Sequence, residues 1–206
     1  AVDTAIRLGA KVIWMPTIST EEHQRYFKNK KTRLFNSKKK LTHAYDLNIL
    51  DENKKLLDEV HEILSLIAEA NIVLATGHLS AEEVNVLVDA AIEQKVEKIL
   101  IQHVDLGIAP IPFEQQQELA KKGCILEKCY LACGEDFNSI SKKEIAESIN
   151  KIGANSCVMV TDYGQAHNIA PIRALSNFVE DMLNEGVSES NIRKMIVENP
   201  KQLLDM

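Results

Sequence analysis

Residues 71–103 read NIVLATGHLSAEEVNVLVDAAIEQKVEKILIQH, and the fold is decided in this stretch. Its two ends, Asn71–His78 and Lys98–His103, are short apolar runs that are continuous and not alternating. Continuous runs of this length indicate strands buried on both faces, as in a parallel sheet. Between them Ser80–Gln94 opens Ser-Ala-Glu-Glu, a capping-box start in which Ser80 caps the helix and Glu83 reaches back. Strand, helix and strand within roughly 30 residues make one βαβ unit.

The same pattern extends in both directions. Further apolar runs occur at Lys11–Thr17 (KVIWMPT), Cys124–Lys128 (CILEK) and Cys157–Asp162 (CVMVTD). Leu56–Ala70 places Leu57, Val60, Ile63, Leu64 and Ile67 on one helical stripe. Ser141–Ile152 begins with a second capping box, Ser141 and Glu144. Pro171–Glu185, stopped by Gly186, and Ser188–Met206 supply the last helices. The polar strand ends are 25 residues apart (78 to 103), then 24 (103 to 127) and 35 (127 to 162), the period of an α/β protein.

The longer interval from Thr17 to His78 predicts an insertion at about 19–55. It carries a basic run, Lys28–Arg33 and Lys38–Lys40, interleaved with Tyr26, Phe27, Leu34 and Phe35. Asp46–Leu56 reads as a small hairpin with Asp-Glu-Asn at its turn. The insertion is expected to be a solvated loop, or a lid that attracts an anionic substrate.

With 206 residues the chain suits a single domain. A net charge of −6 gives no global basic field, so no nucleic-acid partner is expected. No apolar run approaches the roughly 18 residues that cross a bilayer, so no membrane partner is expected either. The four cysteines lack paired CxxC spacing and read as reduced residues of a cytoplasmic protein. The alternative is a soft-metal or redox role for Cys129 and Cys133. The expected partner is a small-molecule substrate, with a homo-oligomer left open.

In a (β/α)8 barrel the site lies at the C-terminal ends of the strands. The residues there are Thr17, His78, His103, Glu127 and Asp162. Two histidines and a carboxylate suit a divalent metal, zinc above all, as one or two ions, with Glu127 as a further ligand candidate. Such an ion lowers the pKa of a water toward neutrality. Asp162 is the candidate catalytic base, taking the water's proton and delivering it to the leaving group. Each residue has a plainer reading as a loop or capping group; recurrence at equivalent positions favours the metal. His23, Gln165 and His167 are candidates for substrate contact at the rim.

A histidine at each of two successive strand ends and an aspartate at the last resemble the amidohydrolase superfamily. More closely, Val-Ile-Trp-Met-Pro-Thr (12–17), Ala-Thr-Gly-His-Leu-Ser (75–80) and Thr-Asp-Tyr-Gly-Gln (161–165) resemble an uncharacterised amidohydrolase-like family of unknown function. The ending, Asn199-Pro200 with Leu203-Leu204, is similar to the superfamily's closing helix. The resemblance implies that His78 and His103 are ligands after strands five and six, and that Asp162 is ligand and base after strand eight. It gives no support to Glu127.

The superfamily's first-strand His-x-His pair and fourth-strand bridging residue do not appear in this sequence. The resemblance therefore implies a TIM barrel of which strands four to eight are present, residues 1–10 being the tail of the preceding helix. A barrel lacking three strands is expected to be poorly stable, to bind metal weakly and to be inactive by itself. The implied activity of the intact protein is metal-dependent hydrolysis of an amide, ester, phosphoester or lactone-like bond. Alternatives are a deaminase or decarboxylase on the same ligands, a non-catalytic binding barrel, and a complete doubly wound, flavodoxin-like domain.

Overall fold

A computed structural model describes residues 1–28 and 47–206. From the N-terminus these form α1 (Val2–Arg7), β1 (Val12–Trp14), α2 (Glu21–Lys28), α3 (Asp58–Ala70), β2 (Val73–Ala75), α4 (Ala81–Glu93) and β3 (Ile99–Ile101). They continue as α5 (Phe113–Lys121), β4 (Ile125–Cys129), α6 (Lys142–Ile152), β5 (Cys157–Val160), α7 (Pro171–Asn184), α8 (Glu189–Arg193) and α9 (Asn199–Leu204). A π-helical turn, Lys194–Glu198, joins α8 to α9.

All five apolar runs are strands, paired in parallel in the order β1-β2-β3-β4-β5. Side chains alternate across them. Ile13, Leu74, Ile99, Ile101, Leu126 and Met159 face a large core, into which α3 to α7 send Leu64, Leu87, Leu119, Ile149 and Phe178 among others. Each such side chain, fully removed from water, stabilises the packing by about 1.5–3 kcal/mol. The opposite face carries a smaller cluster, Val73, Ala75, Leu100 and Val158, with Leu203 and Leu204 of α9 packed against it.

A doubly wound domain needs a reversal in strand order and helices over both faces. The sequential order here has no reversal, and α3 to α7 share one face, so the flavodoxin-like alternative is overturned. A parallel sheet with helices on its outer side is consistent with a TIM-barrel-like fold.

Local signals explain several boundaries. Both capping boxes form, at Ser80–Glu83 and Ser141–Glu144, each satisfying donors that a helix start leaves free. Asn199 donates from Nδ2 to the carbonyls of Ala154 (2.7 Å) and Cys157 (2.6 Å), tying the closing helices to the start of β5. The hairpin expected at 46–56 contains one antiparallel bridge, Leu50 to Leu56, and Asp51 Oδ1 accepts from the amides of Asn53 and Lys55.

Three features differ from expectation. The insertion begins with a helix, α2, whose inner face is short, with His23 buried and Tyr26 and Phe27 partly so. Its basic run beyond Lys28, with Leu34, Phe35 and Lys38–Lys40, lies outside the described residues. A helix at 113–121 was not expected either: α5 buries only Gln116 and Leu119, so its sequence reads as polar. Finally, β4 continues to Cys129, so Glu127 lies inside the strand and not at its end. The pair Glu127-Lys128 looks like a polar stop, yet Lys128 is 0% exposed. Its ammonium donates to Asp105 Oδ2 (3.0 Å) and Gln116 Oε1 (2.8 Å) beneath α5.

Candidate functional site

The polar side chains gather at the C-terminal edge of the sheet. His78 follows β2 by three residues, His103 follows β3 by two, and Asp162 follows β5 by two. Each is aimed by a left-handed residue: Gly77 at φ +62°, His103 itself at +47° and Asp162 at +55°. Non-glycine residues adopt this region at a cost, and such strain collects at functional sites. Gly77 has a further constraint, because a Cβ there would meet the carbonyl oxygens of Pro16 at 2.4 Å and Met15 at 2.5 Å.

His103 is central. Its Nδ1 lies 2.6 Å from Glu127 Oε1, and its Nε2 faces Asp162 Oδ2 at 3.9 Å. Both atoms of the contact with Glu127 are buried, and each is the other's partner. Burial draws the imidazole's pKa down, but contact with Glu127 and the charges of Glu127 and Asp162 outweigh it, and the net shift is upward. Burial holds the Asp162 carboxyl above its ordinary range, offset by His103 and reinforced by Glu127.

Cys129 closes the group. One donor atom each from His103, Cys129 and Asp162 lie within 4.8 Å of one another. The Cys129 thiol lies 3.6 Å from the carbonyl of Thr161, with the backbone amides of Leu131 and Ala132 also directed at its sulfur. Its pKa stands well above the usual thiol value, through burial first and then the negative charges of Asp162 and Glu127.

His78 flanks this cluster, its ring 5.5 Å from that of His103. Burial, then the positive charges of His103 and His23, pull its pKa down to about 3, so it is neutral at any physiological pH. His23 on α2 stacks on it with ring centroids 5.1 Å apart and Nδ1 atoms 2.9 Å apart. Thr20 starts α2 by accepting from the amide of His23 (3.2 Å). Tyr26 and Phe27 then dock the helix on a small cluster formed by Leu106, Ile108 and Ala132.

Of the residues singled out by sequence, His78, His103, Asp162, Glu127 and His23 therefore come together. Gln165 and His167 do not join them. Gln165 Oε1 accepts from Asn168 Nδ2 (2.6 Å) within its own loop, and His167 Nε2 pairs with Asp136 (3.1 Å) at the surface. Cys129, offered by the sequence only as an alternative soft-metal or redox residue beside Cys133, joins the cluster; continuing the strand alternation two residues beyond Glu127 reaches it. The burial and position of His23 had a local sequence signal in the Thr20-Glu-Glu helix start.

The donor set fits a divalent cation. Imidazole, thiol and carboxylate are the ligand types that zinc takes. Among the described residues no helix is long and apolar enough to cross a membrane.

Fold and site together define an α/β protein with ionisable side chains converging at the C-terminal edge of a parallel sheet. The chain belongs to the family of unknown function DUF6282, whose sequence profile matches residues 1–127. That span contains His23, His78, His103 and Glu127; Cys129 and Asp162 lie beyond it. No curated protein matches the sequence. Among solved structures, an amidohydrolase from Pseudomonas aeruginosa is similar, with a TM-score of 0.64 at 14% identity. The match covers 98% of this chain and 66% of that one, and at this identity it speaks for the fold.

Proposed function

We propose that this chain forms the metal-binding wall of a hydrolase of amidohydrolase type, with β1 to β5 standing as strands four to eight of a (β/α)8 barrel. The observation that carries the reading is the convergence of His103, Cys129 and Asp162 donor atoms within 4.8 Å, beside His78 and Glu127. The sequential strand order and the structural likeness to an amidohydrolase support the barrel assignment.

A divalent ion, zinc by its donor types, would supply activation of a water and polarise the oxygen of the scissile bond. His78 and His103 would hold the ion as neutral imidazoles. Glu127, against Nδ1 of His103, fixes the ring so that Nε2 faces Asp162; a carboxylate behind a ligating histidine commonly plays this part. Asp162 takes a proton on its carboxylate and returns it to the leaving group. His23, stacked outside His78, contacts a small-molecule substrate. The bond attacked is an amide, ester, phosphoester or lactone.

The test is elemental analysis of the purified chain after zinc loading and removal of free metal, beside His78→Ala and His103→Ala. We expect retained zinc, held weakly by an open five-stranded sheet, with affinity reduced at least about tenfold further by either substitution. Full occupancy surviving both substitutions would sink the reading. Assays of the loaded protein on esters, amides, phosphoesters and lactones then assign the bond, with Asp162→Asn as the inactive control.

A further inference from the structure

We propose that Cys129 is a thiolate ligand of this site, so that the centre is a His-Cys-Asp site selective for a soft or borderline divalent metal. This rests on the metal site proposed above and specifies its chemistry. An oxygen-preferring ion such as magnesium is a poor match to sulfur, whereas zinc, cobalt and cadmium accept it.

The geometry carries the assignment. Cys129 is the last residue of β4, in register with Val160, and Asp162 follows Val160 by two residues. Strand alternation puts Cys129 on the same face as Glu127, the face opposite to that of the buried Lys128. The thiol donates only a long 3.6 Å contact to the Thr161 carbonyl, while the backbone amides of Leu131 and Ala132 lie toward its sulfur and favour the thiolate. Two donors on one tetrahedral ion stand roughly 3.4 Å apart at bond lengths of about 2.1 Å. His103 Nε2 and Asp162 Oδ2, 3.9 Å apart, already approach that span.

His103 and Glu127 are 8% and 7% exposed, and their 2.6 Å contact through Nδ1 and Oε1 leaves Nε2 of the ring turned toward Asp162. A cluster holding Glu127, Asp162 and a sulfur carries an excess of negative character that one divalent ion neutralises. On coordination the S–H proton leaves to solvent and the sulfur lone pair binds the metal; a coordinating thiol is deprotonated outright. No oxidant or reductant takes part.

The experiment is cobalt(II) titration of metal-free chain, read by absorption, with Cys129→Ser and Cys133→Ser run alongside. Thiolate ligation gives an intense near-ultraviolet sulfur-to-cobalt charge-transfer band, which nitrogen and oxygen donors do not. We expect the band in the wild type and in Cys133→Ser, its loss in Cys129→Ser, and cobalt affinity in that variant weaker by at least about tenfold. Zinc-edge X-ray absorption on the wild-type chain needs no variant and should show one sulfur at about 2.3 Å. Cobalt bound with ligand-field bands but no charge-transfer band, or a band that survives Cys129→Ser, overturns the thiolate assignment and leaves the hydrolase reading standing. Failure of the chain to bind cobalt or zinc at all overturns both.

Discussion

At the scale of single residues, the site depends on breaking strand alternation. Ile99 and Ile101 face the helix layer, so regular pleating would turn His103 the same way. Its left-handed backbone, φ +47°, redirects the ring toward Glu127 and Asp162 instead. Gly77 does the equivalent for His78, and only glycine fits there. Gly77→Ala is therefore expected to destabilise the chain by about 1–3 kcal/mol from backbone strain alone, and by more from the collision with Pro16 and Met15. Urea denaturation and zinc affinity check it: both should fall, because the displaced segment carries His78. An alanine variant with unchanged stability would show that this turn is not constrained as described. The histidines and Asp162 were legible in sequence because each terminates an apolar run in a polar residue. Cys129 was harder to read, since Glu127-Lys128 before it look like the end of the strand and buried cysteine is common as core. His23 was legible only as a rim candidate; its pairing with His78, 55 residues away, is tertiary and has no local signal.

At the scale of elements, β4 is the strand whose register matters most, since it contributes both Glu127 and Cys129. Lys128 lies between them and points the other way, into the helix layer, where only Asp105 and Gln116 make its burial tolerable. All five strands were readable from apolar runs and their spacing. The end of β4 was not, because the partners that allow a lysine inside lie 23 and 12 residues earlier. The helices α2 and α5 were missed for a related reason: few of their side chains are buried, so neither shows a long apolar stripe. The lysine cluster has a measurable consequence. Asp105→Ala strands a buried ammonium and is expected to cost about 3–5 kcal/mol, whereas replacing all three with apolar residues of similar volume should be close to neutral. Chemical denaturation of the single and triple variants decides it; a single variant costing under about 1 kcal/mol would mean that Lys128 is not held as described.

At the scale of the whole molecule, the candidate ligands come from separate βα units, so an ion held among them links the loops after β2, β3 and β5 to the end of β4. Metal binding and global stability are then coupled, because the unfolded chain offers no preformed site. Zinc at a hundred times its dissociation constant should stabilise the native state by about 2.7 kcal/mol. For a chain of this size each kcal/mol raises Tm by about 2–4 °C, so the expected shift is about 5–10 °C. The measurement is thermal unfolding followed through Trp14, the one tryptophan of the sequence, with zinc, after chelation, and in His103→Ala. Trp14 lies on β1 and is 51% exposed, so it reports loss of the sheet without taking part in the site. The shift should vanish in the chelated protein and in the variant. A shift of equal size in His103→Ala would place the zinc elsewhere on the chain. Stoichiometric zinc with no shift in wild type would mean that the ion binds native and unfolded chain alike, against a site assembled by the fold.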